Sequence, residues 1–136
     1  MIKPIIKDPI FLAQKSAPAV LADLPVAQDL RDTLAAHRDG CVGMAANMIG
    51  VARRIIIYDD NGIASVMFNP EIIKSSGPYE AEESCLSLEG TRKVKRYRSI
   101  RLKWQDMHMK DHIGLLDGFQ AQIVQHEVDH CNGILV

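Results

Sequence analysis

The sequence predicts an α+β fold in which mostly antiparallel strands pack around a C-terminal helix, with one further helix near the N-terminus. Two patterns carry that expectation: strand-like runs fill the middle of the chain, and helical spacing of apolar residues stands at each end. Composition adds a third observation. With 136 residues, 47% hydrophobic and 24% charged, the chain can bury a core but has little room for a second one, so residues 1–136 are read as a single domain.

The elements follow in order. Ile2 to Ala19 is broken by Pro4, Pro9 and Pro18 and reads as extended loop with room for one turn. From Pro25 to Arg38, Val26, Leu30, Leu34 and His37 recur at three- and four-residue spacing. Pro25 suits the first turn of a helix there, and Gly40 lies just past its end. Gly40 to Gly50 (GCVGMAANMIG) is too punctuated by small residues for a regular element. Arg54–Tyr58 and Ser65–Phe68 flank Asp60-Asn61-Gly62, a hairpin signature. Glu71–Lys74 is a short apolar run ahead of Ser75-Ser76-Gly77-Pro78. Arg92–Tyr97 and Ser99–Gln105 alternate as strands, and residues 107–116 suggest another strand pair. Gly118 to Cys131 closes the chain as a helix whose stripe is Phe119, Ile123, Val124 and Val128.

Several function classes are excluded at this level. A net charge of −1 and a pI near 6.5 argue against a general nucleic-acid binder, and no specific DNA partner is expected. The basic run Arg92, Lys93, Lys95, Arg96, Arg98 and Arg101 could touch ribosomal RNA, but such a run more often marks a solvated or edge strand. No apolar run approaches the ~18 residues of a membrane span, so no membrane partner is expected. The opening MIKPIIKDPIFLAQ lacks the blocks of a signal peptide, and the expected location is cytoplasmic. Cys41, Cys85 and Cys131 are an odd number and make a poor disulfide framework.

The sharpest feature is His126-Glu127-Val128-Asp129-His130. On a helix, residues four apart lie ~40° apart around the axis and ~6 Å along it, so both imidazoles can reach one ion. Glu127 stands beside them as a base. The plain alternative is two histidines on a solvated helix face. A catalytic site of this type needs a third protein ligand and an open position. Only six residues follow His130, so that ligand has to come from upstream. Cys131 lies ~100° round the helix from His130 and is poorly placed. Cys85, Cys41, His37, His108, His112 or an acid remain. Cys85 is the best candidate, because a thiolate is a strong ligand and ESCLSLEG is a turn-rich setting between strands. A buried core cysteine is the competing role.

These residues carry a resemblance to the peptide deformylases. Cys41-Val42-Gly43-Met44-Ala45-Ala46-Asn47-Met48 resembles the family block GxGLAAxQ, Glu83-Ser84-Cys85-Leu86-Ser87 resembles EGCLS, and Gln125 to His130 resembles QHExDH. Weaker similarity covers nearly all of the chain. The resemblance implies removal of the formyl group from formyl-methionyl N-termini, with release of formate. It implies Cys85, His126 and His130 as metal ligands and Glu127 as general base and then acid. The Leu86 N–H would bind the oxyanion, and Val42, Gly43, Met48, Leu86 and Arg92 would line or border the substrate site. It favours Fe2+ in the cell, with Zn2+ or Ni2+ in purified protein, because one sulfur and two nitrogens suit several ions.

Four departures stand out. Met48 occupies the place of the family's oxyanion-donating glutamine, and a thioether donates no hydrogen bond. Asn47 is one place early, Cys41 replaces the first glycine of its block, and Ser84 replaces the glycine before the ligand cysteine. Because the sequence stops at Val136, short of the tail with which bacterial members commonly dock, contact with the ribosome is expected to be weak. Two other readings compete: a metallo-amidase acting on a different acyl-amine, and a non-catalytic metal-binding paralogue. The presence of Glu127 argues against the second, since a structural site needs no base.

Overall fold

Five strands joined in sequence order, β1-β2-β3-β4-β5, form one antiparallel sheet. The computed structural model describes residues 1–136. The strands are β1 (Gly43–Ala45), β2 (Ile55–Asp60), β3 (Ile63–Cys85), β4 (Leu88–Gln105) and β5 (Asp111–Asp117). The helices are α1 (Pro9–Leu12), α2 (Leu24–Ala36) and α3 (Gly118–Cys131), with short 3-10 turns at Leu21–Asp23 and Ala46–Ile49. The α+β expectation holds.

The core explains why β2 reads as an unbroken apolar run. Ile55 and Ile57 pack on one side with Leu30 and Leu34 of α2, Met44, Met48 and Phe68. Ile56 and Tyr58 pack on the other side with Ala121, Ile123, Val124 and Val128 of α3. Burial on both faces removes the polar half of the usual strand alternation. The β2–β3 hairpin closes at Asn61 and Gly62, with φ of 52° and 92°, the left-handed pair that a tight hairpin turn requires.

The structure corrects five readings. Gly40 to Gly50 is not irregular throughout: Gly43–Ala45 forms β1 against Ile56–Tyr58. The runs on either side of Ser75–Pro78 belong to one strand of 23 residues. Beyond Phe68 that strand no longer pairs with β2, and on such an edge a prolyl nitrogen is tolerated. Residues 107–116 hold a single strand, because Asp106 turns the chain first: its Oδ1 accepts from the N–H groups of His108 (2.8 Å) and Lys110 (3.1 Å). The basic run is an edge as expected as far as Arg98, but it is not wholly solvated. It lies on β4, which pairs with β3 here and meets β5 only from Ser99 onward, and Arg96 within it is buried. Phe119 also departs from its expected core stripe, being 59% exposed.

α3 is docked by a polar clasp as well as by its apolar face. The Gln125 amide accepts from the Tyr97 N–H (2.9 Å) and donates to the Tyr97 carbonyl (2.8 Å). This two-way bond fixes the rotation of the helix against β4, and the histidines one residue and five residues further on inherit that orientation. No helix is long and apolar enough to cross a membrane.

Candidate active site

β3 ends at Cys85, and a two-residue turn, Leu86–Ser87, leads back into β4. That turn brings the Cys85 thiol against α3. Its Sγ lies 3.4 Å from His130 Nε2, and the Nε2 atoms of His130 and His126 are 3.2 Å apart. Cys85, His126 and His130 together place three ligand atoms within 4.8 Å of one another. A tetrahedral ion with nitrogens near 2.05 Å and sulfur near 2.3 Å sets ligand separations of ~3.3 Å for N–N and ~3.6 Å for S–N. The donor set therefore fits a metal ion of that size.

The two imidazoles shift in opposite directions: although burial opposes it, hydrogen bonds with Cys85 and Glu83 push His126 up to about 10. Burial holds His130 well below the usual histidine range, to about 3, so it stays neutral. His126 Nδ1 donates to Glu83 Oε1 at 2.7 Å, which leaves Nε2 as the nitrogen that faces His130 and Cys85. Glu83 is itself held by Arg96, whose Nη2 donates to Oε1 at 2.7 Å and whose Nε donates to Oε2 at 3.0 Å. Although burial opposes ionisation, the hydrogen bonds from His126, Arg96 and Gln122 hold Glu83 down at about 2. Arg96 Nη1 reaches on to Asp129 at 2.7 Å, so one guanidinium joins the hairpin to α3.

Glu127 lies on the inner wall of the cleft. Burial, the largest influence on it, raises its carboxyl to about 7. Its Oε1 is buried with no partner in the protein, and an unpaired buried carboxylate oxygen invites a proton donor from the cleft. Gly43 makes room for it: a Cβ there would sit 2.9 Å from Glu127 Oε2 and 2.7 Å from Ile123 Cγ2.

The cleft is a cavity of about 320 Å³ whose lining includes Cys41, Val42, Gly43, Met48, Glu83, Cys85, Leu86, Phe119, Gln122, Ile123, His126 and Glu127. The Leu86 N–H makes no hydrogen bond within the chain. Arg92 stands opposite Glu83 on β4, donates to the Glu89 carbonyl at 3.1 Å and is outside the lining of the cleft. The other cysteines lie apart from the cluster. Cys131, the last residue of α3, is packed in the core. The Cys41 thiol donates to the Gly43 carbonyl at 3.0 Å, and burial pushes it up to about 11. Asn47 is turned away as well, its Nδ2 donating to the His130 carbonyl at 3.0 Å.

Sequence reasoning missed Glu83, Arg96, Gln122 and Asp129 as supports of the site. Glu83 and Asp129 stood inside the two motifs, and the signal for a network was their charge at positions that fold inward.

A family model described as polypeptide deformylase matches residues 2–136. The chain belongs to the polypeptide deformylase family. It is 50% identical to a peptide deformylase of Clostridium beijerinckii over 136 residues, covering all of both chains. A peptide deformylase structure from Legionella pneumophila superposes with a TM-score of 0.90 at 34% identity, covering 99% of this chain and 83% of that one. A Met-Ala-Ser-bound class I type b peptide deformylase from Acinetobacter baumannii gives 0.88 at 32% identity, covering 99% and 97%. The enzyme is thus a metal-dependent hydrolase that removes the N-formyl group from nascent peptides.

Proposed function

We propose that Cys85, His126 and His130 hold one divalent ion and that Glu127 moves the proton as the formyl–nitrogen bond of a formyl-methionyl N-terminus is hydrolysed. The observation that carries this reading is the convergence of one sulfur and two imidazole nitrogens beside an unpartnered buried carboxylate. The ion is Fe2+ in the cell and replaceable by Zn2+ or Ni2+ in purified protein, as the mixed donor set allows. When bound, it supplies an acidified water and polarises the formyl oxygen.

The rest is chemistry of the chain. Glu127 takes a proton from the attacking water, whose oxygen adds to the formyl carbon. Negative charge develops on the former carbonyl oxygen, where the free Leu86 N–H donates to it. Glu127 then delivers its proton to the leaving nitrogen, the C–N bond breaks, and formate departs from a free amino terminus. Val42, Gly43, Met48 and Leu86 form the surface against which the peptide's first residue lies, as the Met-Ala-Ser seen in the Acinetobacter relative suits. Arg92 borders the site from β4 and contacts only peptide beyond that residue. The reaction takes place in the cytoplasm on chains emerging from the ribosome, which the enzyme contacts weakly.

Formate release from a formyl-Met peptide, by protein loaded in turn with iron, nickel, cobalt and zinc, tests the reading. Cys85→Ser should lose its metal while Cys131→Ser keeps it. The reverse result would overturn the ligand assignment.

A further inference from the structure

Gln122 stands on α3 one turn before His126, between Phe119 and Ile123 on the wall that lines the cleft. An amide between apolar neighbours needs partners, because a part-buried polar group without them is costly. Both of its ends are engaged. Nε2 donates to Glu83 Oε2 at 2.9 Å, and Oε1 accepts from the Tyr79 hydroxyl at 3.2 Å. An ionised carboxylate can only accept, so Gln122 turns its NH2 to Glu83 and leaves its carbonyl for Tyr79. The Tyr79 ring is in turn covered by the Arg98 guanidinium, 5.2 Å from its centroid. The second oxygen of Glu83 is the one that receives His126 Nδ1. A continuous set of hydrogen bonds thus runs from Tyr79 on β3, through Gln122 and Glu83, to a ring of the metal-ligand cluster.

We propose that Gln122 is a positioning residue for deformylation: it holds Glu83, and through Glu83 the His126 ring, while its flank forms part of the wall that meets the substrate. The proposal rests on His126 being a metal ligand. It follows that one residue influences both metal retention and substrate binding, in separable ways. The hydrogen bonds govern the first and the amide's polarity governs the second.

Gln122→Met keeps the length of the side chain and removes both hydrogen bonds. Zinc-loaded variant should release zinc to an excess of chelator ~10-fold faster than the wild type, in line with the loss of other partners behind ligating histidines. The visible spectrum of the cobalt-loaded variant should shift. For a formyl-Met peptide kcat should fall while KM stays level or falls, since a thioether offers the substrate a more apolar wall. Tyr79→Phe, which leaves the cleft lining intact, should speed zinc release by a smaller factor with KM unchanged. It decides the matter alone if Gln122→Met does not fold. Wild-type zinc release and cobalt spectrum in both variants would overturn the proposal, even if KM moved. Wild-type protein that holds no stoichiometric metal, or a Cys85→Ser variant that holds as much, would instead overturn the ligand assignment beneath it.

Discussion

His126 Nδ1 and Glu83 Oε1 lie 2.7 Å apart, and this contact ties a histidine of the helix to the hairpin strand that delivers Cys85. Three other donor groups, from Arg96 and Gln122, converge on the same carboxylate. Glu83 therefore fixes the tautomer of His126 and neutralises Arg96, whose side chain is 5% exposed. Glu83→Gln should weaken zinc affinity ~10- to 100-fold, measured by competition with a chelator. It should also lower the stability of the protein, because breaking a buried ion pair by removing one partner costs ~3–5 kcal/mol. Zinc affinity equal to the wild type would show that His126 is oriented by packing alone.

Gly43 yields a second prediction, at a position that the sequence marks only as substrate-binding. Its missing side chain leaves space that Glu127 Oε2 and Ile123 Cγ2 fill, with the Ile57 carbonyl 3.2 Å from where a Cβ would stand. The three atoms that a Cβ would meet first belong to none of Cys85, His126 and His130. Gly43→Ala should therefore keep its metal but displace the carboxylate, with kcat reduced ~10²-fold, as a misplacement near 1 Å can do. Metal analysis alongside formate release checks it. Unchanged kcat would mean that Ile123 alone moves aside.

Much of this arrangement is legible in the sequence, and what is not has identifiable physical causes. The spacing of His126 and His130 dictates a shared helix face, and the hairpin at Asn61-Gly62 follows from turn chemistry. β1 is hidden because three residues are too few for a period, and only pairing with Ile56–Tyr58 makes them a strand. The unity of β3 is hidden because Gly77 and Pro78 signal a break that an edge position makes harmless. Arg96 is the most instructive case. A cation among cations reads as solvated, yet register turns it inward, where Glu83 and Asp129 meet it. Long-range pairing decides that, and no local pattern records it.

On the proposed reading Glu127 moves protons without binding the metal. It is the residue after His126 on α3, outside the cluster of Cys85, His126 and His130, and Oε1 has no protein partner. Glu127→Gln should retain a full complement of metal and lose ~10²- to 10⁴-fold in kcat, the usual worth of a general acid–base. A metal-loaded variant with undiminished formate release would remove Glu127 from the reaction.

Met48 bears on how fast the enzyme can be. It is 1% exposed and lines the cleft, and the family resemblance puts it where a glutamine would donate to the developing oxyanion. Neither neighbour makes good the loss. The Asn47 amide is spent on the His130 carbonyl, and the Cys41 thiol proton is directed at the Gly43 carbonyl. On the proposed reading the Leu86 N–H is then the donor that the chain itself supplies. Loss of one oxyanion donor typically costs ~2.7–4 kcal/mol in the transition state, or ~10²–10³ in turnover. Met48→Gln should accordingly raise kcat toward formyl-Met peptides, with metal content unchanged. Part of the full factor will be lost, because the amide enters an apolar setting beside Ile49 and Met44, and a lower Tm is expected for the same reason. A folded, metal-loaded Met48→Gln protein no faster than wild type would show that the oxyanion is stabilised at this site without a side-chain donor.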